Sequence, residues 1–128
     1  MNIPDDRRYS SDHEWIRRVG DSDVVTVGIT DYAQDSLGDV VFVEVPDVGM
    51  RVAANDTVTE VESTKSVSDI YAPVSGVIST VNDELDDQPE LLNSDPYGDG
   101  WICTIEMSDP SEYDALLDAA GYSGLIED

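Results

Sequence analysis

Lysine is nearly missing from this chain. Lys65 is the only one in 128 residues, and the remaining basic side chains are Arg7, Arg8, Arg17, Arg18 and Arg51. Against them stand 29 acidic residues, for a formal net charge of −23. No basic stripe exists to neutralise phosphates, which argues against nucleic acid as a partner; an anionic membrane surface is disfavoured for the same reason. Cysteine and histidine occur once each. A single cysteine closes no intramolecular disulfide. Cys103 alternates with Trp101, Ile105 and Met107, the pattern of a buried, inert thiol on a strand. His13 alone builds neither a metal cluster nor a hydrolase triad, and no nucleophile motif accompanies it. Neither common phosphate-cradling glycine loop is present. No apolar run approaches the ~20 residues of a membrane span. The opening stretch Met1-Asn2-Ile3-Pro4-Asp5-Asp6-Arg7-Arg8 has no apolar segment of signal-peptide type. Together these absences predict a cytoplasmic protein with no membrane contact.

What is present is a folding chain. Apolar residues make up 40% of it, enough for a core, and the length fits a single domain over 1–128. The acids are spread through apolar patterns and form no tail. Such charge density with almost no lysine predicts adaptation to high salt. At ~1 M salt the screening length falls to roughly 3 Å, and self-repulsion becomes tolerable. In dilute buffer the same charge destabilises the compact state.

Short β-branched runs separated by Pro/Gly turns dominate the middle of the chain. Residues 1–10 read as a loose arm. Strands are expected over 12–19, 24–29, 39–45, 50–53, 57–63, 66–72, 77–81 and 101–107, with 39–45 of buried type. Thr30 suits a helix N-cap and Gly38 the residue after its end, giving a short helix over 30–38. Two helical turns fall in 82–93. Asp109, Pro110 and Glu112 have the spacing of a helix start. Tyr113, Leu116, Leu117 and Ala120 repeat at helical period, so a C-terminal helix is expected over about 110–120, closed by Gly121. Many close-spaced short strands predict a compact β barrel or sandwich over about 12–107.

One junction concentrates the chemistry. Val58, Thr59 and Val61 lead in, Val67, Ile70 and Tyr71 lead out, and Thr64-Lys65 lies near the tip of the connecting turn. This is a β-hairpin pattern. Arginine would keep the charge; lysine adds a primary amine that can be acylated. From spacing alone, Lys65 reads equally as an acylation site and as an ordinary exposed turn residue. Pairs such as Glu60/Glu62 read as solvated strand positions.

The stretch Val61-Glu62-Ser63-Thr64-Lys65-Ser66-Val67-Ser68-Asp69-Ile70-Tyr71-Ala72-Pro73-Val74-Ser75-Gly76 resembles the lipoyl-attachment hairpin of glycine cleavage system H proteins. Biotinyl domains usually set the lysine between methionines, and dehydrogenase lipoyl domains usually place Asp before it. His13-Glu14-Trp15 and Gly28-Ile29-Thr30 are similar to the family's first strands, and the likeness runs over roughly 8–125. It implies a mainly β fold: a flattened lipoyl/biotinyl-type barrel of two small sheets, a barrel-sandwich hybrid, with short flanking helices and a C-terminal helix.

The resemblance also implies a non-catalytic carrier. Lipoate would be joined to Lys65 through an amide by a lipoate ligase or lipoyltransferase. The arm would carry an aminomethyl group from the glycine decarboxylase (P protein) to the aminomethyltransferase (T protein). It would then present its dithiol to the dihydrolipoyl dehydrogenase (L protein). In H proteins the loaded arm rests in a shielding cleft, and the matching positions are Glu14, Asp69 and Asp12; at the last, the family often has serine. Three alternatives stand beside this reading: an H-like lipoate donor in cofactor relay, a lipoyl domain of 2-oxoacid dehydrogenase type, and an unmodified β-domain used for binding.

Overall fold

The computed structural model describes residues 2–126. Met1, Glu127 and Asp128, the outer ends of the expected domain, lie outside them. The strands are β1 (Arg8–Tyr9), β2 (Glu14–Arg18), β3 (Val24–Ile29), β4 (Val40–Val43), β5 (Arg51–Val52), β6 (Thr57–Ser63), β7 (Val67–Tyr71), β8 (Gly76–Val81) and β9 (Cys103–Met107). The helices are α1 (Asp31–Leu37), α2 (Glu84–Asp87), α3 (Leu91–Ser94), α4 (Ser111–Asp114) and α5 (Ala119–Ile126). All neighbouring strands pair antiparallel. They form a six-stranded sheet, β1-β2-β3-β9-β8-β5, and a three-stranded sheet, β4-β6-β7. Neither sheet closes on itself.

Strand alternation fills the space between the sheets. Val25, Val27 and Ile29 on β3 and Cys103, Ile105 and Met107 on β9 turn inward from the large sheet. Val43, Val61 and Ile70 turn inward from the small one, and all belong to one buried cluster. Each such aliphatic side chain contributes about 1.5–3 kcal/mol by leaving water. Cys103 is buried as expected, and burial pushes its thiol up to about 12, which keeps it protonated and unreactive.

Helix α1 forms where its end signals lie. Thr30 Oγ1 accepts from the Ala33 N–H at 3.1 Å, and Asp31 places a negative charge in the first turn. Gly38 ends the helix with φ 78° and ψ −158°, a region essentially reserved for glycine.

Three expectations are corrected. The strand read as buried exposes Val41 and Phe42, because a bulge between Val40 and Phe42 turns both outward. The N-terminal arm is packed, not loose. Tyr9 is fully buried and stacks on Tyr122 at 4.8 Å between ring centroids, its hydroxyl donates to the Pro4 carbonyl, and Arg7 lies over the Trp15 ring at 4.6 Å. The single C-terminal helix is two pieces. Leu117 exchanges both backbone hydrogen bonds with Tyr9, at 2.8 and 2.9 Å, so its amide and carbonyl are taken from the helix. Asp118 then restarts it, accepting from the Gly121 N–H at 2.7 Å. Gly121 therefore sits inside α5, and Tyr122 is fully buried.

Candidate functional site

Lys65 stands exposed in the three-residue link between β6 and β7. Ser63 holds that link in shape. Its hydroxyl oxygen accepts from the backbone N–H groups of Lys65 and Ser66, each at 3.2 Å, and the hydroxyl donates to the Ser66 carbonyl at 3.2 Å. The Ser63 N–H donates to the same carbonyl at 2.8 Å, and the Thr64 N–H donates to the Asp39 carbonyl at 3.0 Å. The turn is thus tied internally and to the segment after α1. Among the described residues there are two ion pairs, Arg7–Asp6 and Arg17–Asp6, and neither involves the Lys65 amine. The side-chain stem rests on Gly38: a Cβ there would lie 3.2 Å from Lys65 Cε and 3.7 Å from Nζ. Gly38 was legible as a helix end; its contact with Lys65 was not, because it joins residues 27 apart in sequence.

A cleft of about 510 Å³ opens elsewhere on the surface, lined in part by Ser10, Asp12, Glu14, Ala72, Pro73 and Leu116. Glu14 is 1% exposed. Its Oε1 accepts from the Ser10 hydroxyl at 2.6 Å, and its Oε2 accepts from the Tyr71 N–H at 3.4 Å. The Ser10 oxygen in turn accepts from the Glu14 N–H at 3.1 Å. Burial pushes the Glu14 carboxyl up to about 7, with the nearby Asp12 charge adding to the rise and the Ser10 and Tyr71 hydrogen bonds opposing it. A group of this kind can hold a proton or accept a cation with little change in pH.

The structure therefore brings Asp12 and Glu14 to one cleft. Asp69 is not among its lining residues. It lies exposed on β7, directly across from Glu60. Sequence reasoning missed Ser10, whose hydroxyl holds Glu14, and the apolar wall from Leu116, Leu117 and Leu125. Only the Ser10/Glu14 spacing across a short turn could have hinted at the first. The cleft and the hairpin share a strand: Tyr71, the partner of Glu14, ends the strand that leaves the Lys65 turn. From Val67 to Tyr71 the strand runs about 14 Å.

Two small facing sheets with a lone lysine on an exposed hairpin turn define the barrel-sandwich hybrid fold of swinging-arm carrier domains. The family model described as glycine cleavage H-protein matches residues 7–128. The chain is 54% identical to the glycine cleavage system H protein of Pseudoalteromonas atlantica over 127 residues, covering 99% of this chain and 98% of that one. It is 57% identical to the H protein of Citrobacter koseri over 127 residues, with the same coverage. A crystal structure of the H protein from Mycobacterium marinum superposes with a TM-score of 0.86 at 45% identity, covering 95% of this chain and 97% of that one. The chain belongs to the glycine cleavage H-protein family.

Proposed function

We propose that this protein is the lipoyl-bearing shuttle of a glycine cleavage system, with Lys65 as the attachment residue. The observation that carries the reading is the placement of the chain's only lysine, exposed and outside the described ion pairs, at the tip of a braced hairpin. The residues fit such a group: an exposed lysine on a braced turn, and a cleft about one strand length away. The dithiolane of a bound lipoyl group supplies the redox and group-carrying chemistry. The chain itself is a non-catalytic carrier, and its clients are the glycine decarboxylase, the aminomethyltransferase, the dihydrolipoyl dehydrogenase and a lipoate ligase or lipoyltransferase. A cytoplasmic location belongs to the same proposal; among the described residues no helix is long and apolar enough to cross a membrane.

Each residue has a defined task. Ser63 and Gly38 set the base of the arm, one by fixing the turn and the other by leaving room for the lysine stem. The cleft over Glu14 would receive a loaded arm. Its apolar wall excludes water, and the Glu14 carboxylate offsets the positive charge of an amine-bearing cargo. Asp12 adds a second carboxylate at the mouth. Asp69 lies outside the cleft, on the outward face of β7 across from Glu60, and takes no part in shielding the arm.

The test is a reconstituted glycine-cleavage assay with the P, T and L enzymes. Lys65→Arg keeps the charge and the fold and is expected to abolish turnover; retained turnover would refute the assignment. Activity of the wild-type protein in that assay also separates a shuttle from a protein that only donates lipoate.

A further inference from the structure

The outward face of the small sheet takes no part in the site described above. Residues of equal register stand in rows across it. Phe42 pairs with Glu62, and Glu62 with Val67; the Lys65 turn lies immediately beyond this row. Phe42 is the only phenylalanine in the chain, yet it is 48% exposed, and Val67 is 58% exposed. The next outward row is acidic. The Glu44 N–H donates to the Glu60 carbonyl, and Glu60 pairs with Asp69; all three side chains are exposed. Like charges opposite one another weaken an antiparallel pair. Among the described residues neither ion pair relieves them. The acidic row is unfavourable in the isolated chain, and the face as a whole becomes favourable under a partner that covers Phe42 and Val67 on either side of Glu62 and brings cations to the carboxylates.

We propose that this face is the docking surface for the enzyme that acylates Lys65, a partner presenting an apolar contact flanked by arginine or lysine side chains beside its active site. The inference rests on Lys65 being the attachment residue. It favours the acylating enzyme over later clients because that active site must reach Nζ itself, at the root of the arm, and so closes over the ground beside the turn. Enzymes that meet the far end of an arm stand farther off. In the step served, the deprotonated amine forms the amide N–C bond with an adenylate-activated acyl group. The bond from acyl carbon to phosphate oxygen breaks, the phosphate leaves with the electron pair, and the amine proton passes to solvent.

The experiment measures lipoylation of the full chain by a purified lipoate–protein ligase with ATP and lipoate, followed by intact mass. Phe42→Ser/Val67→Thr is expected to lower kcat/KM at least tenfold, mainly through KM, with the melting temperature little changed. Glu60→Gln/Asp69→Asn is expected to lower it at low salt and to flatten its salt dependence. Val19→Ser, at a position 69% exposed on the turn after β2, should behave as wild type. Acetylation of Lys65 by acetic anhydride, followed by peptide mapping, should be equal in all of them. Wild-type kcat/KM in the Phe42/Val67 variant would overturn the docking surface, as would a matching loss in the reagent reaction, which would place the defect in the amine. An unmodified wild-type protein would overturn the Lys65 reading and the docking surface together.

Discussion

The Glu14 carboxylate accepts a hydrogen bond from the backbone N–H of Tyr71 at 3.4 Å, which joins the floor of the cleft to the strand that leaves the Lys65 turn. A buried acid in that place leaves a signature in stability. Its carboxyl is pushed from 4.5 up to about 7, so between these values the folded protein holds a proton that the unfolded chain has released. Stability from this group is therefore fully present below about pH 4.5 and is lost as pH rises through 7, by about 3 kcal/mol. Glu14→Gln removes the titration. The stability of the variant relative to wild type is expected to rise between pH 5 and pH 8, read from urea denaturation at each pH. A difference independent of pH would mean that Glu14 titrates as an ordinary exposed acid.

Gly38→Ala tests the seat of the lysine. At φ 78° and ψ −158° an alanine is strained, with an expected loss of about 1–3 kcal/mol. The new methyl would also stand 3.2 Å from Lys65 Cε, so the stem must shift. With one lysine in the chain, lysine-selective isotope labelling gives a single set of side-chain NMR signals. Those signals are expected to move in the variant; unchanged positions would show that the stem does not rest on Gly38 in solution.

The charge makes its own prediction. At −23, with two ion pairs among the described residues, both on Asp6, self-repulsion is largely unrelieved within the chain. The melting temperature is expected to rise between dilute buffer and 1 M KCl, because screening contracts to roughly 3 Å. A flat or falling curve would remove the case for high-salt adaptation.

Parts of the molecule that depend on neighbours in sequence were legible. The Lys65 hairpin announced itself by β-branched alternation either side of a polar turn, and β6 and β7 fall within a residue or so of the expected limits. Thr30 and Gly38 bracketed α1 because capping is a local act. What escaped depends on distant partners. The C-terminal period of Tyr113, Leu116, Leu117 and Ala120 was genuine, but Tyr9 claims the Leu117 backbone and breaks the helix. The burial of Tyr9 needs Tyr122, more than a hundred residues away. Phe42 fits an apolar strand by composition; a bulge sends it outward. Glu14 carries no local mark among 29 acidic residues, and its position came from resemblance alone. The same resemblance offered Asp69 for the cleft, where strand alternation instead aligns it with Glu60 on the outer face.

The central claim is tested most directly by the intact mass of the protein purified from its native host, with peptide mapping of the adduct. One lipoyl group per chain, on the peptide containing Lys65 and absent from Lys65→Arg, is the expected result. A chain of unmodified mass from cells actively cleaving glycine, or an adduct on any other residue, would contradict it.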